Sequence, residues 1–73
     1  MMNMTTISIE SEYITLGQFL KLADLISSGG QAKFFLKEND VFVNGKITEQ
    51  RGMKLYHNDS VNIDDKIFRI LCI

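Results

Sequence analysis

The sequence predicts an α+β fold in which a helical hairpin packs on a small, mostly antiparallel sheet. Three observations predict it. Two stretches in the first half open with a hydroxyl-x-x-Gln signature and carry apolar residues at helical spacing. Short runs of β-branched and aromatic residues lie before and after them. Turn-forming pairs such as Asn44-Gly45 and Asp64-Asp65 separate the later runs. Helices grouped together beside a run of short strands read as an α+β layout.

The first element is a strand. Thr5, Ile7 and Ile9 recur at every second position, as expected of a strand with one buried face. Thr15-Leu16-Gly17-Gln18 then has the form of a capping box, in which Thr15 and Gln18 each satisfy an amide of the other. A helix is predicted from Leu16 to about Ile26. Leu16, Phe19, Leu20, Ala23 and Ile26 form its inner face, and Gly17, Lys21 and Asp24 should meet water. Ser28-Gly29-Gly30-Gln31 repeats the signature and predicts a second helix to about Glu38. Ala32, Phe35 and Leu36 are its inner face, and Asn39 is suited to close it in a left-handed conformation. The short link makes the pair a tight hairpin.

Val41-Phe42-Val43 is a compact strand, and Asn44-Gly45 supplies the residues of a type I′ turn. Lys46-Ile47-Thr48 returns beside it. Lys54 to Tyr56, Ser60 to Ile63 and Lys66 to Ile73 read as three further strands, separated by turns at His57-Asn58-Asp59 and Asp64-Asp65. The order is β-α-α-β-β-β-β.

Length and composition narrow the function. A chain of 73 residues fits one domain with a modest core and little room for a cofactor cavity. The 45% hydrophobic and 23% charged content is that of an ordinary folded protein. Cys72 stands alone, so no intrachain disulfide or cysteine-rich metal centre is expected. Met1 to Glu10 has no basic residue and no long apolar run, so a signal peptide is not expected. No stretch approaches the ~20 apolar residues of a membrane span. The expected setting is the cytoplasm, with no membrane partner.

No catalytic residue is assigned. His57 is the one histidine and sits in a polar turn, with no nucleophile and orienting group at suggestive spacing. Asp64-Asp65 is a turn rather than a carboxylate pair. No metal cluster, phosphate-binding loop or dinucleotide fingerprint occurs, so neither a cofactor nor a small-molecule substrate is expected.

Charge distribution is more informative than the net charge of −1. Residues 31–54 hold Lys33, Lys37, Lys46, Arg51 and Lys54 against Glu38, Asp40 and Glu49. The flanks are acidic on balance. On the second helix, Gly30, Lys33, Phe34 and Lys37 share an outward arc. The amides of Gly29, Gly30 and Gln31 open that helix, and two glycines let an anion approach them. Phe34 beside two lysines could stack on an unpaired base. Lys46, Arg51 and Lys54 join this surface if the hairpin packs beside the second helix. The plainer alternative keeps the lysines as a solvated face and packs Phe34 against the N-terminal strand.

Residues 14–63 carry a family resemblance. The matching stretches are Leu16-Gly17-Gln18-Phe19-Leu20-Lys21, Gly30-Gln31-Ala32-Lys33, Val41-Phe42-Val43-Asn44-Gly45-Lys46 and Tyr56-His57-Asn58-Asp59-Ser60-Val61. They resemble the S-four-type RNA-binding domain, or alpha-L motif, and look closest to its YaaA-type stand-alone members. Val-x-Val-Asn-Gly-Lys is the most specific piece. The resemblance implies one domain, with an RNA-binding core at 14–63 and short terminal strands added. It further implies a monomer that binds structured RNA, commonly ribosomal RNA, in ribosome assembly. Gln31, Lys33, Lys37, Lys46, Arg51 and Lys54 would face the RNA. Many members open the first helix with Arg-Leu-Asp, where this chain has Thr15-Leu16-Gly17. With few basic contacts the implied binding is modest and salt-sensitive. A protein-interaction adaptor that keeps the fold without strong RNA binding is the alternative. A small carrier activated at a terminal Gly-Gly is disfavoured by the ending Leu71-Cys72-Ile73.

Overall fold

The computed structural model describes residues 3–73. Strand β1 (Asn3–Ile9) and a short β2 (Tyr13–Thr15) lead into helix α1 (Leu16–Leu22). A 3-10 turn (Gly29–Gln31) runs into helix α2 (Ala32–Glu38). Then come β3 (Val41–Val43), β4 (Lys46–Ile47), β5 (Lys54–Tyr56), β6 (Ser60–Ile63) and β7 (Lys66–Cys72). The main sheet has the order β1-β7-β6-β3-β4, and β2 pairs with β5 in a separate two-stranded sheet. All pairings are antiparallel except β1 with β7.

The sheet register explains the core. Side chains alternate between the two faces of a strand. Val43, Val61, Phe68 and Thr5 lie in one row across the sheet, and Ile70 lies opposite Ile7. This face meets Leu16, Phe19 and Leu20 of α1, Ala32 and Leu36 of α2, and Leu55 of β5 in one apolar cluster. The Phe19 and Phe68 rings meet edge to face, with centroids 5.2 Å apart. Aromatic pairs favour that arrangement because the positive ring edge faces the negative ring face.

Helix α1 starts as its sequence predicts and stops earlier. The Gln18 amide donates to Thr15 Oγ1 at 3.2 Å, and the Thr15 amide donates to Gln18 Oε1 at 3.0 Å. The expected end near Ile26 is corrected to Leu22. Asp24 takes a left-handed φ of 62°. The Asp24 amide then donates to the Lys21 carbonyl and the Leu25 amide to the Leu20 carbonyl, both at 3.0 Å. This pair of reversed hydrogen bonds closes the helix without glycine. Ile26 is still buried, but it is delivered by the link rather than by the helix.

Thr15→Ala removes one half of the cap. The expected loss is about 1 kcal/mol, which for a domain of this size lowers Tm by roughly 4–8 °C. Thermal unfolding followed by circular dichroism checks it, and an unchanged Tm would show that the cap contributes nothing.

Other local expectations are also revised. Ser28 makes no side-chain cap. Instead Gln31 Oε1 accepts from the Ser27 amide at 2.7 Å and from the Ser27 hydroxyl at 2.9 Å, and α2 begins without a side-chain cap. Asn39 is extended, at φ −128° and ψ 140°, and its Nδ2 donates to the Phe35 carbonyl at 3.1 Å. It ends α2 with its side chain instead of a left-handed backbone. Thr48 lies outside β4 and Ile73 outside β7. The Asn44-Gly45 turn has positive φ at both residues, 52° and 85°, as a type I′ turn requires. Asn44 does more than turn the chain: its Nδ2 donates to Asp59 Oδ1 at 3.1 Å, and its Oδ1 accepts from the Ser60 amide at 3.0 Å.

Candidate nucleic-acid interface

Helix α2 carries the candidate face. Ala32 and Leu36 are buried and Phe35 is half-buried against the core. At 3.6 residues per turn, that burial turns Lys33, Phe34 and Lys37 outward. All three are exposed, Phe34 at 65%. Of the two alternatives open in the sequence, packing of Phe34 against the N-terminal strand does not occur. Lys33 and Lys37 stand one turn apart on one stripe of the helix, and Phe34 lies to one side of that stripe.

Gly29 and Gly30 precede this face and are exposed, and a Cβ added to either meets nothing within 4 Å. Their backbone is open to a large ligand. The Gln31 amide is not free as expected, because it donates to the Ser28 carbonyl at 3.1 Å. The Gln31 side chain is folded onto Ser27 through its Oε1.

The segment after β4 reaches the same end of the molecule. The Gly17 amide donates to the Arg51 carbonyl and the Leu16 amide to the Met53 carbonyl, both at 2.8 Å. A Cβ on Gly17 would lie 3.4 Å from the Arg51 carbonyl oxygen and 3.7 Å from Ala32 Cβ. Gly17 is therefore half-buried where three elements converge, instead of meeting water. Arg51 is exposed beside that junction, so its backbone adjoins the start of α2. Lys37 borders a groove of about 240 Å³ between the end of α2 and β4, lined also by Asn39, Ile47, Thr48 and Glu49.

Two expected members stand apart. Lys46 follows the hairpin turn opposite Val43, while Ile47, not Lys46, lines the groove beside α2. Lys54 is turned toward β2, with Nζ 4.8 Å from the centroid of the Tyr13 ring. The exposed pair Tyr13 and Tyr56 was not singled out from the sequence. The alternation of Tyr13 with Thr15, and of Lys54 with Tyr56, is the signal that marks it.

His57 has a structural task. Its Nδ1 accepts from the Cys72 amide at 2.9 Å and fastens β7 to the turn after β5. Cys72 is half-buried, and its Sγ donates to the Glu12 carbonyl at 3.4 Å. Among the described residues no three potential metal ligands cluster, and no helix is long and apolar enough to cross a membrane.

The family model described as S4 domain matches residues 7–71. A Bacillus subtilis (strain 168) protein named "Probable ribosome maturation protein RlbA" is 60% identical over 58 residues, covering 80% of this chain and 82% of that protein.

Proposed function

The chain belongs to the S4 domain family, and on that premise we propose that it is a non-catalytic RNA-binding protein acting in ribosome maturation in the cytoplasm. The observation that carries the reading is the outward face of α2. Phe34 stands 65% exposed beside the stripe of Lys33 and Lys37 and has no part in the core. An apolar ring held in solvent beside two cations suits unpaired bases and their phosphates. Gly29 and Gly30 let a backbone phosphate come close to the start of this face, and the Gln31 carboxamide borders it. Arg51 extends the positive track. Lys46 and Lys54 reach RNA only if the bound strand continues past the hairpin tip and onto the small sheet. The name of the bacterial relative, "Probable ribosome maturation protein RlbA", supports structured ribosomal RNA as the target.

Binding drawn from phosphate contacts is salt-sensitive because counterions compete for them, and so few basic contacts make it modest in strength. Tagged protein is expected to co-sediment with a ribosomal particle at low salt and to leave it at high salt. It should also be released by ribonuclease. Retention that withstands both treatments would replace RNA with a protein partner.

A further inference from the structure

The two-stranded sheet turns one face to the core and the other outward. Ile14 and Leu55 point from it into the core, at 7% and 0% exposure. Tyr13 and Tyr56 are register partners on the opposite face, 38% and 45% exposed. Their ring centroids lie 5.7 Å apart with the planes tilted by 47°. Lys54 Nζ sits 4.8 Å from the Tyr13 centroid. Beside them opens a groove of about 600 Å³ whose lining includes Glu12, Gln18, Lys21 and Leu22.

The chemistry of this face fits a base better than a phosphate alone. The Lys54 ammonium over Tyr13 marks a ring face that attracts cations and flat π systems. A base can take that position while Lys54 moves to the adjoining phosphate. Lys21 offers a second cation on the groove wall. Glu12 repels phosphate but accepts hydrogen bonds from an exocyclic amino group. Gln18 has its oxygen engaged in the α1 cap, which leaves its NH₂ to donate. The groove, which Tyr13 also lines, therefore offers a phosphate Lys21 and a base edge Glu12 and Gln18, while Lys54 lies over the Tyr13 ring outside it. The segment leading into β5 is bonded to the start of α1 at Arg51 and Met53, and Gly17 there lies against both Arg51 and Ala32 at the start of α2.

We infer that Tyr13, Tyr56 and Lys54 form a stacking site for one unpaired, amino-bearing nucleobase of the RNA that runs along α2. The inference rests on the RNA-binding reading above and adds a second point of contact to it. Ultraviolet irradiation joins a base to an aromatic side chain only where the two touch. Wild-type protein bound to ribosomal particles is irradiated at low salt, digested with ribonuclease and protease, and its nucleotide-bearing peptides are mapped by mass spectrometry.

The expected adduct is on Tyr13 or Tyr56. Tyr13→Ala with Tyr56→Ala should remove it and weaken particle retention about tenfold or more, since stacking on an aromatic is worth that much per base. Tyr13→Phe with Tyr56→Phe should retain binding, because the ring and not the hydroxyl does the stacking. Adducts confined to Phe34, with undiminished retention of the double alanine variant, overturn the stacking site and leave the α2 reading standing. Retention that depends on the tyrosines but resists ribonuclease overturns it in favour of a protein partner. Absence of both adduct and co-sedimentation overturns the RNA reading together with the stacking site.

Discussion

Lys33→Glu combined with Lys37→Glu is expected to abolish ribosomal-particle retention at moderate salt while leaving the thermal transition in place. Both side chains are exposed and lie on one turn of α2. Neither belongs to the apolar cluster, so the fold has little to lose. Exposed charge pairs are worth roughly 1 kcal/mol each. Losing two therefore weakens binding by about thirtyfold, and the new carboxylates add repulsion against the phosphates. A second readout is the salt dependence. Removing two phosphate contacts should flatten the slope of log affinity against log salt by about two. Particle sedimentation across a salt series measures both quantities. Wild-type retention and an unchanged slope in the double variant would show that RNA does not lie on α2.

The largest effect on stability is expected from Phe19→Ala. Phe19 is fully buried, and its ring meets Phe68 across the interface between α1 and the main sheet. Truncating a buried phenylalanine costs about 3–5 kcal/mol through lost transfer energy and the cavity left behind. Whole domains are stable by only about 5–15 kcal/mol, and small ones sit toward the lower end. The variant should therefore be largely unfolded in mild urea where the wild type is native. Phe34→Ala deletes the same side chain from a position 65% exposed and should shift stability by no more than about 0.5 kcal/mol. Urea titration followed by circular dichroism separates the two residues. Comparable midpoints for both variants would mean that the packing described between α1 and the sheet is wrong.

The contrast between Phe19 and Phe34 also shows what could be read before folding. The helical spacing of Leu16, Phe19 and Leu20 points one face inward, and those three are buried without exception. Phe34 has no such determination. Its neighbours Phe35 and Leu36 already fill the inner arc, so whether Phe34 reaches solvent or another element depends on what stands opposite α2. Gly17 is the converse case. Its helical position directs it to water, yet the segment at Arg51 folds over it, a contact between residues far apart in sequence.

Local chemistry within a few residues was thus decided by the sequence itself. The capping box at Thr15 and Gln18, the Asn44-Gly45 turn and the alternation in the strands depend on near neighbours and on dihedral preferences. The family resemblance was legible for the same reason, since its motifs are contiguous runs. Pairing between distant segments was decided only by the tertiary structure. The three-residue β2 is too short to announce itself and exists because β5 lies beside it. The parallel pairing of β1 with β7 joins segments separated by nearly the whole chain. The basic residues divide likewise: α2 fixes Lys33 and Lys37 by its own periodicity, whereas Arg51 is placed by loop closure and Lys54 by the pairing of β5 with β2. Backbone geometry acts over one or two turns. Beyond that range, a side chain's position follows from which surfaces the chain can bury together.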